Sequence, residues 1–223
     1  YINKIKKFSI AFNEYIIKKN ISVNFIFTST VTIYGNTSKD TLVNEKLKDD
    51  PKSNYDKAKK MLENIFLKYE KKNNLNFISL RLSNIYGVNL QNTQINRGFM
   101  NKFIFNIYKK KQVFIFGKGN NLRNYLYIKD LVDVLILSAK KIKKISGKIL
   151  IVCHDKSYSF NEIIKLISKI LKRNIEFKNI NYPKNINPIE KRSFRGSNML
   201  IKKYIGWKPK INIKPGISKI IKT

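Results

Sequence analysis

The sequence predicts an α/β fold with a parallel sheet, and three observations carry that prediction. Stretches with apolar residues at helical spacing alternate with short apolar, β-rich runs, in the order helix, strand, loop, helix, strand. The run Val23-Asn24-Phe25-Ile26-Phe27 is mostly apolar along its length, as a buried parallel strand is. The chain is 223 residues long, 43% hydrophobic and 12% aromatic, which supports a sizeable core and argues against disorder.

The elements follow in order. Residues 3–19 place Ile5, Phe8, Ala11, Phe12, Tyr15 and Ile16 on one helical face. The strand Val23–Phe27 ends in Thr28-Ser29-Thr30, and a loop runs to Pro51. Ser53 or Asn54 caps a helix to about Lys71 with Asp56 in its first turn. Phe77–Leu82 is the next strand, and Ser83–Gly87 its loop. A helix over 98–110, strands at Gln112–Phe116 and Asn124–Ile128, and a helix over Asp130–Lys140 come next. Ile149–Cys153 is a strand, Ser159 caps a helix to Lys172, and Ile175–Lys178 is a short strand. Pro183, Pro188, Pro209 and Pro215 make the tail mostly loop, with a helix near 197–205.

Composition narrows the chemistry. One Cys (Cys153) and one His (His154) leave no material for a disulfide framework, a metal cluster or a Ser-His-Asp triad. Cys153 is expected as a buried small hydrophobe. No apolar run is long enough for a membrane span, and no signal peptide is visible. The net charge of +32 suggests nucleic acid or an anionic surface. Yet only six of 46 basic residues are Arg, the better phosphate fork, and Ala appears three times amid abundant Lys, Asn and Ile. That pattern fits drift toward A/T-rich codons.

A Tyr-x-x-x-Lys pair on a helix puts a phenol and an ammonium on one face, and the ammonium favours the phenolate. Such a pair suits proton transfer in alcohol–ketone chemistry. The chain holds four copies, at Tyr15–Lys19, Tyr55–Lys59, Tyr125–Lys129 and Tyr204–Lys208, so the spacing alone says little. Only Tyr55 follows a buried strand ending in hydroxyl residues, and Thr30 stands at that strand's carboxyl end. Parallel sheets place ligands there. The plainer alternatives are a polar strand end and an interface aromatic.

Together the segments resemble a family. Asn24–Gly35, with its Thr28-Ser29-Thr30, is similar to the Ser/Thr strand end of extended short-chain dehydrogenase/reductases. Tyr55-Asp56-Lys57-Ala58-Lys59 resembles their Tyr-x-x-x-Lys, and Leu80–Gly87 their Arg-x-x-Asn-x-Tyr-Gly. Phe116–Tyr125 followed by Ile128-Lys129-Asp130 resembles their Gly-x-Gly, Arg-Asp-Tyr, Asp series, and Gly206-Trp207-Lys208-Pro209 their closing Gly-Trp-x-Pro. The nearest pattern is that of the NAD-dependent nucleotide-sugar epimerases and dehydratases, UDP-glucose 4-epimerase-like.

The resemblance implies the roles. Tyr55 would be the acid/base, Lys59 would hold the nicotinamide ribose, and Thr30 would bond the sugar C4 oxygen. NAD would take a hydride from C4 of a nucleotide-diphosphate sugar and return it to the other face. Thr28 and Leu82 would line the cofactor site. Asn84 and Arg123, with Arg192 and Arg195 beside them, would touch the sugar-nucleotide phosphates. No metal is implied.

Departures shape the expectation. The 4,6-dehydratases carry Asp-Glu after the strand-end Thr, where this chain has Val31-Thr32, which disfavours dehydration. Leu82 replaces a frequent Tyr, Arg123-Asn124-Tyr125 replaces Arg-Asp-Tyr, and Ser197 stands where an Asp is common. None of the nine glycines takes the Gly-x-x-Gly-x-x-Gly spacing that cradles NAD pyrophosphate. The chain is thus expected to lack the family's N-terminal part and, alone, neither to bind NAD nor to turn over. Residues 1–90 and 124–153 are expected as a partial Rossmann-type NAD domain, and 91–123 and 154–223 as a sugar-nucleotide lobe. Helices 3–19 and 54–71 are expected to pair in a homodimer, in a cytoplasmic protein. C4 epimerisation is the expected reaction. A reductase or dehydratase of the same fold is the alternative, and a non-catalytic basic module for nucleic acid or anionic membrane is the alternative of another class.

Overall fold

The computed structural model describes residues 2–70, 75–87, 98–186 and 188–222. Three parallel strands form the main sheet: β1 (Val23–Thr30), β3 (Leu75–Leu82) and β7 (Lys148–Val152), in the order β1-β3-β7. Their register is in step, with Thr30 opposite Leu82 and Leu82 opposite Val152, so the carboxyl ends finish at one level. Helices α1 (Ile2–Lys18) and α2 (Asn54–Glu70) pack together, and α2 lies on β1 and β3. The apolar stripe read from the sequence is what does this. Phe66 of α2 stacks between Phe25 and Phe77, with ring centres 4.5 and 5.4 Å away, and Phe12 of α1 closes on both Phe25 and Phe66.

Ser53 caps α2: its Oγ accepts from the Asp56 N–H at 3.1 Å, and the Asp56 carboxylate accepts from the Ser53 N–H at 3.1 Å. This is a reciprocal capping box with Asp in the third position. Lys71, the expected last residue of that helix, lies outside the described residues.

The chain then leaves the sheet. The stretch 83–87 is not a plain loop: β4 (Asn84–Tyr86) pairs in parallel with β6 (Arg123–Tyr127). A three-residue strand is decided by its distant partner, which local pattern does not show. The other elements up to this point are β2 (Leu42–Val43), α3 (Phe99–Tyr108), β5 (Val113–Phe116), α4 (Ile128–Lys140), α5 (Ile142–Ile145) and β8 (Ser157–Tyr158). After β8 come α6 (Phe160–Leu171), β9 (Phe177–Ile180), β10 (Arg195–Gly196), α7 (Met199–Ile205) and α8 (Ile213–Lys222). Ser159 caps α6 in a full capping box, as expected. The expected strand at Ile175–Lys178 lies slightly later, as β9, paired with β5.

The tail is more ordered than its prolines suggest. Pro215 is the third residue of α8, where a helix needs no intrahelical N–H bond, and the Gly216 N–H already reaches the Asn212 carbonyl at 3.0 Å. Two large cores result. Ile78, Leu80, Leu150, Val152, Ile201, Ile205 and Trp207 share the one on the sheet. Tyr86, Ile104, Tyr125, Ile163 and Ile217 share the other. So α7 and Trp207 pack on the sheet, although they fall within the stretch 154–223 assigned above to the sugar-nucleotide lobe.

Candidate functional site

The carboxyl end of β1 is where the chemistry-bearing residues meet. Thr30 ends the strand and caps a 3-10 turn over Val31–Tyr34 that the sequence did not suggest. Its Oγ1 accepts from the Thr32 N–H at 3.2 Å and lies 2.8 Å from Thr32 Oγ1. Thr32 Oγ1 in turn donates to the Asp56 carboxylate. Asp56 is buried and also takes the Ser53 hydroxyl at 2.6 Å.

One helical turn along α2, Lys59 Nζ donates to the Thr28 carbonyl at 2.7 Å. The same ammonium lies 4.7 Å from the Phe27 ring centre and 5.8 Å from that of Tyr55. Burial pushes the Lys59 pKa below its ordinary value, and the Glu63 carboxylate only partly offsets this. Tyr55 is 57% exposed. Of the four Tyr-x-x-x-Lys copies, the one chosen from its sequence context is the one beside the strand-end hydroxyls.

A buried ion cluster fixes α2 to the sheet. Arg81 of β3 donates to both carboxylate oxygens of Glu63, on α2, at 3.0 and 2.7 Å. It also forks onto Asp49 at 2.5 and 2.9 Å. Glu63 is fully buried and takes the Ser79 hydroxyl as well.

The expected phosphate ligands divide. Arg123 and Arg192 are both buried, and among the described residues neither makes an ion pair. Arg123 donates to the main-chain carbonyls of Leu122, Glu190 and Arg192. Arg192 donates to the Val31 carbonyl at 3.3 Å and lies over the Phe194 ring. Burial, then the neighbouring Arg123 charge, pulls the Arg192 pKa down to about 10, against weaker pulls from Asp56 and Glu190. Arg195 is exposed and donates to the Lys39 carbonyl. Asn84 donates to the Asn124 carbonyl at 3.0 Å, Thr28 is exposed, and Leu82 packs against the sheet-side core.

A cavity of about 390 Å³ adjoins these groups, lined by Asn84, Phe99, Arg123, Tyr125, Phe160 and Tyr182, among others. Its size, aromatic walls and few polar groups suit a small-molecule ligand. The Tyr125 hydroxyl in its wall and the nearby Ser83 hydroxyl are buried without a protein partner. A larger cleft of about 930 Å³, bordered by Lys110, Lys111, Arg173 and Lys178, shares no lining residue with the strand-end cluster.

The sequence missed several members of the site. Asp56 and Thr32 are joined to Thr30 only through folding, although the Ser53-x-x-Asp56 capping pattern was visible. Phe99, Phe160 and Tyr182 come from three distant segments.

A model of the NAD dependent epimerase/dehydratase family matches residues 8–153, most of the chain. The chain belongs to this family. Human dTDP-D-glucose 4,6-dehydratase is 28% identical over 207 residues, covering 88% of this chain and 55% of that protein. The crystal structure of UDP-glucose 4-epimerase with UDP-glucose from Thermotoga maritima superposes with a TM-score of 0.81 at 24% identity, over 96% of this chain and 67% of that one. That of dTDP-glucose 4,6-dehydratase with NAD from Bacillus anthracis gives a TM-score of 0.81 at 20% identity, over 96% and 65%. The chain spans less than two thirds of the length of the curated relatives it matches. These likenesses show a Rossmann-like α/β fold and a family that contains both epimerases and dehydratases.

Proposed function

We propose that the chain forms the substrate and proton-transfer part of an NAD-dependent enzyme that epimerises a nucleotide-diphosphate sugar at C4. The observation that supports this reading is the Lys59 bond to the Thr28 carbonyl, two residues before Thr30 at the carboxyl end of β1, with the Tyr55 ring 5.8 Å from the same ammonium. Three functions meet there: a phenol, an ammonium that stabilises its anion, and a hydroxyl for the sugar oxygen.

The residues fit the nicotinamide-ribose end of NAD. Lys59 stands free of any carboxylate ion pair among the described residues and would hold the ribose, with Thr28 and Leu82 bordering the site. The pyrophosphate cradle has no counterpart in the glycine spacing of the chain. When bound, the nicotinamide supplies a hydride acceptor and donor. The chain's own work is with protons and charge. Tyr55 takes the proton from the C4 hydroxyl and returns it after the sugar has turned. Thr30 holds the C4 oxygen. Arg123 and Arg192 supply two buried cations without an ion pair among the described residues, which a diphosphate would neutralise. Asn84 and the aromatic cavity would take the rest of the nucleotide.

Val31 and Thr32 carry no carboxylate where dehydration would use one, which supports epimerisation over dehydration. We also propose the division into a partial NAD domain (1–90 and 124–153) and a sugar-nucleotide lobe (91–123 and 154–223), with α7 returning to the sheet. The α1 and α2 pair is our proposed homodimer face, supported by Phe8 and Tyr15 of α1 at 72% and 56% exposure.

The test is chromatography of UDP-glucose and dTDP-glucose incubated with NAD and this chain joined to a relative's N-terminal NAD-binding part. C4-epimer formation that disappears in Tyr55→Phe supports the reading. A 4-keto-6-deoxy product, or undiminished turnover in Tyr55→Phe, overturns it.

A further inference from the structure

Thr30 does not stand alone at the strand end; it is the outer member of a chain of hydroxyls ending on a carboxylate. Hydrogen-bond polarity in such a chain can be worked out from its fixed end. The Asp56 carboxylate can only accept. One of its oxygens takes the Ser53 N–H at 3.1 Å and the Ser53 hydroxyl at 2.6 Å, and the other takes the Thr32 hydroxyl. A hydroxyl has a single proton, so Thr32 has none left for Thr30. The 2.8 Å contact between the two threonines therefore runs from Thr30 to Thr32. The Thr30 oxygen also accepts the Thr32 N–H at 3.2 Å. What remains on Thr30 is one lone pair and no proton.

We propose that Asp56, acting through Thr32, is a positioning residue that makes Thr30 a hydrogen-bond acceptor toward the ligand. In the resting site the C4 hydroxyl would donate to Thr30 and turn its proton to Tyr55 for the transfer step, so binding would favour a sugar whose C4 group can donate over one that can only accept. This rests on the nucleotide-sugar reading above. It assigns a task to a side chain immediately after Tyr55 that would otherwise serve only as a helix cap.

The capping geometry supplies a sharp variant. In Asp56→Asn the Ser53 N–H still needs an acceptor, so the amide oxygen faces Ser53 and the amide nitrogen faces Thr32. The nitrogen then donates to Thr32, Thr32 to Thr30, and Thr30 to the ligand. The whole chain reverses while the cap is kept. Thr32→Val cuts the chain and leaves Thr30 free to rotate.

The experiment is calorimetric, on the chain as it stands and without cofactor. UDP-glucose is compared with its 4-deoxy-4-fluoro analogue, which has no donor at C4, with UDP alone as the control; the dTDP series is run alongside. The native chain should prefer the hydroxyl sugar by about tenfold, the worth of one hydrogen bond set against a facing lone pair. Asp56→Asn and Thr32→Val should each reduce that preference to about twofold, with the affinity for UDP or dTDP unchanged. A cap alone would not move this ratio. Equal affinity for both sugars in the native chain, or a ratio unaffected by either variant, overturns the proposal while leaving the nucleotide-sugar reading intact. Failure of every nucleotide and nucleotide sugar to bind removes that reading and this proposal together. Should Asp56→Asn not fold, Thr32→Val decides the matter.

Discussion

Replacing Arg81 with Met removes the central cation of the cluster that ties α2 to the sheet. The structure sets the scale of the loss. Glu63 is fully buried, and four of the seven bonds and contacts that hold the two carboxylates among the described residues come from Arg81. Without it, Glu63 keeps the Ser79 hydroxyl at 2.9 Å and a Lys60 ammonium at 3.9 Å. Breaking a buried pair from one side costs about 3–5 kcal/mol, because a charge is left without its partner. At this chain length that corresponds to a fall of roughly 10 °C in Tm. The assay is urea and thermal denaturation followed by far-UV circular dichroism. Removing all three charges, with Arg81→Met, Glu63→Leu and Asp49→Asn together, should recover most of the loss. A cost below about 1 kcal/mol for Arg81→Met, or a triple variant no better than the single, would falsify the view that this cluster bolts the Tyr55 helix in place.

Four further outcomes follow from the same geometry. Hydrogen bonds from Arg81 and Lys60 outweigh the effect of burial, which alone would raise it, and hold the Asp49 carboxyl below its usual range. Its stabilisation is complete above about pH 4 and is lost as pH falls through the depressed folded value, so acid unfolding should be less steep there in Arg81→Met. Lys59→Met should leave Tm unchanged or slightly raised, since burial disfavours the charged ammonium; a stability loss above about 2 kcal/mol would contradict this. Gly216→Ala should destabilise by about 2 kcal/mol or more in urea, although Ala is the better helix former, because its Cβ would lie 2.1 Å from the buried Tyr86 hydroxyl. Ser53→Ala should cost about 1 kcal/mol through the lost cap, and a neutral result would remove the capping box from the account.

The sequence carried most of the sheet and helices, because their signals are local. The stripe of Phe8, Phe12 and Ile16 and the run Val23–Phe27 need no partner to be recognised. It also selected Tyr55–Lys59 from four equal spacings, since only that pair follows a strand ending in hydroxyls. What it did not carry depends on contacts made far along the chain. β4 exists because Asn84–Tyr86 meets Tyr125–Tyr127. The 3-10 turn at Val31–Tyr34 forms under the Thr30 cap. Arg192 and Arg195 looked alike three residues apart, yet one is buried against Val31 and the other faces solvent. Burial of an arginine is a property of the assembled core, invisible in its neighbours along the chain.

The buried charges bear on how such a lysine-rich composition can be tolerated. Subtracting the six arginines from 46 basic residues leaves 40 lysines. None of the described ones is buried, whereas Arg81, Arg123 and Arg192 all are. Three buried acids, Asp56, Glu63 and Asp130, balance those three cations in number. Among the described residues the interior is thus close to neutral, and the excess of positive charge sits on the outside, where a flexible lysine stem can keep its head in water. Lysine could accumulate there without touching the core, while sites needing a planar, permanently charged fork kept arginine. Against so uniform a background, the arginines act as markers, and Arg81, Arg123 and Arg192 lead into the interior beside the proposed site. The same exterior will draw polyanions during any purification at low salt, and that attraction will weaken as salt is added.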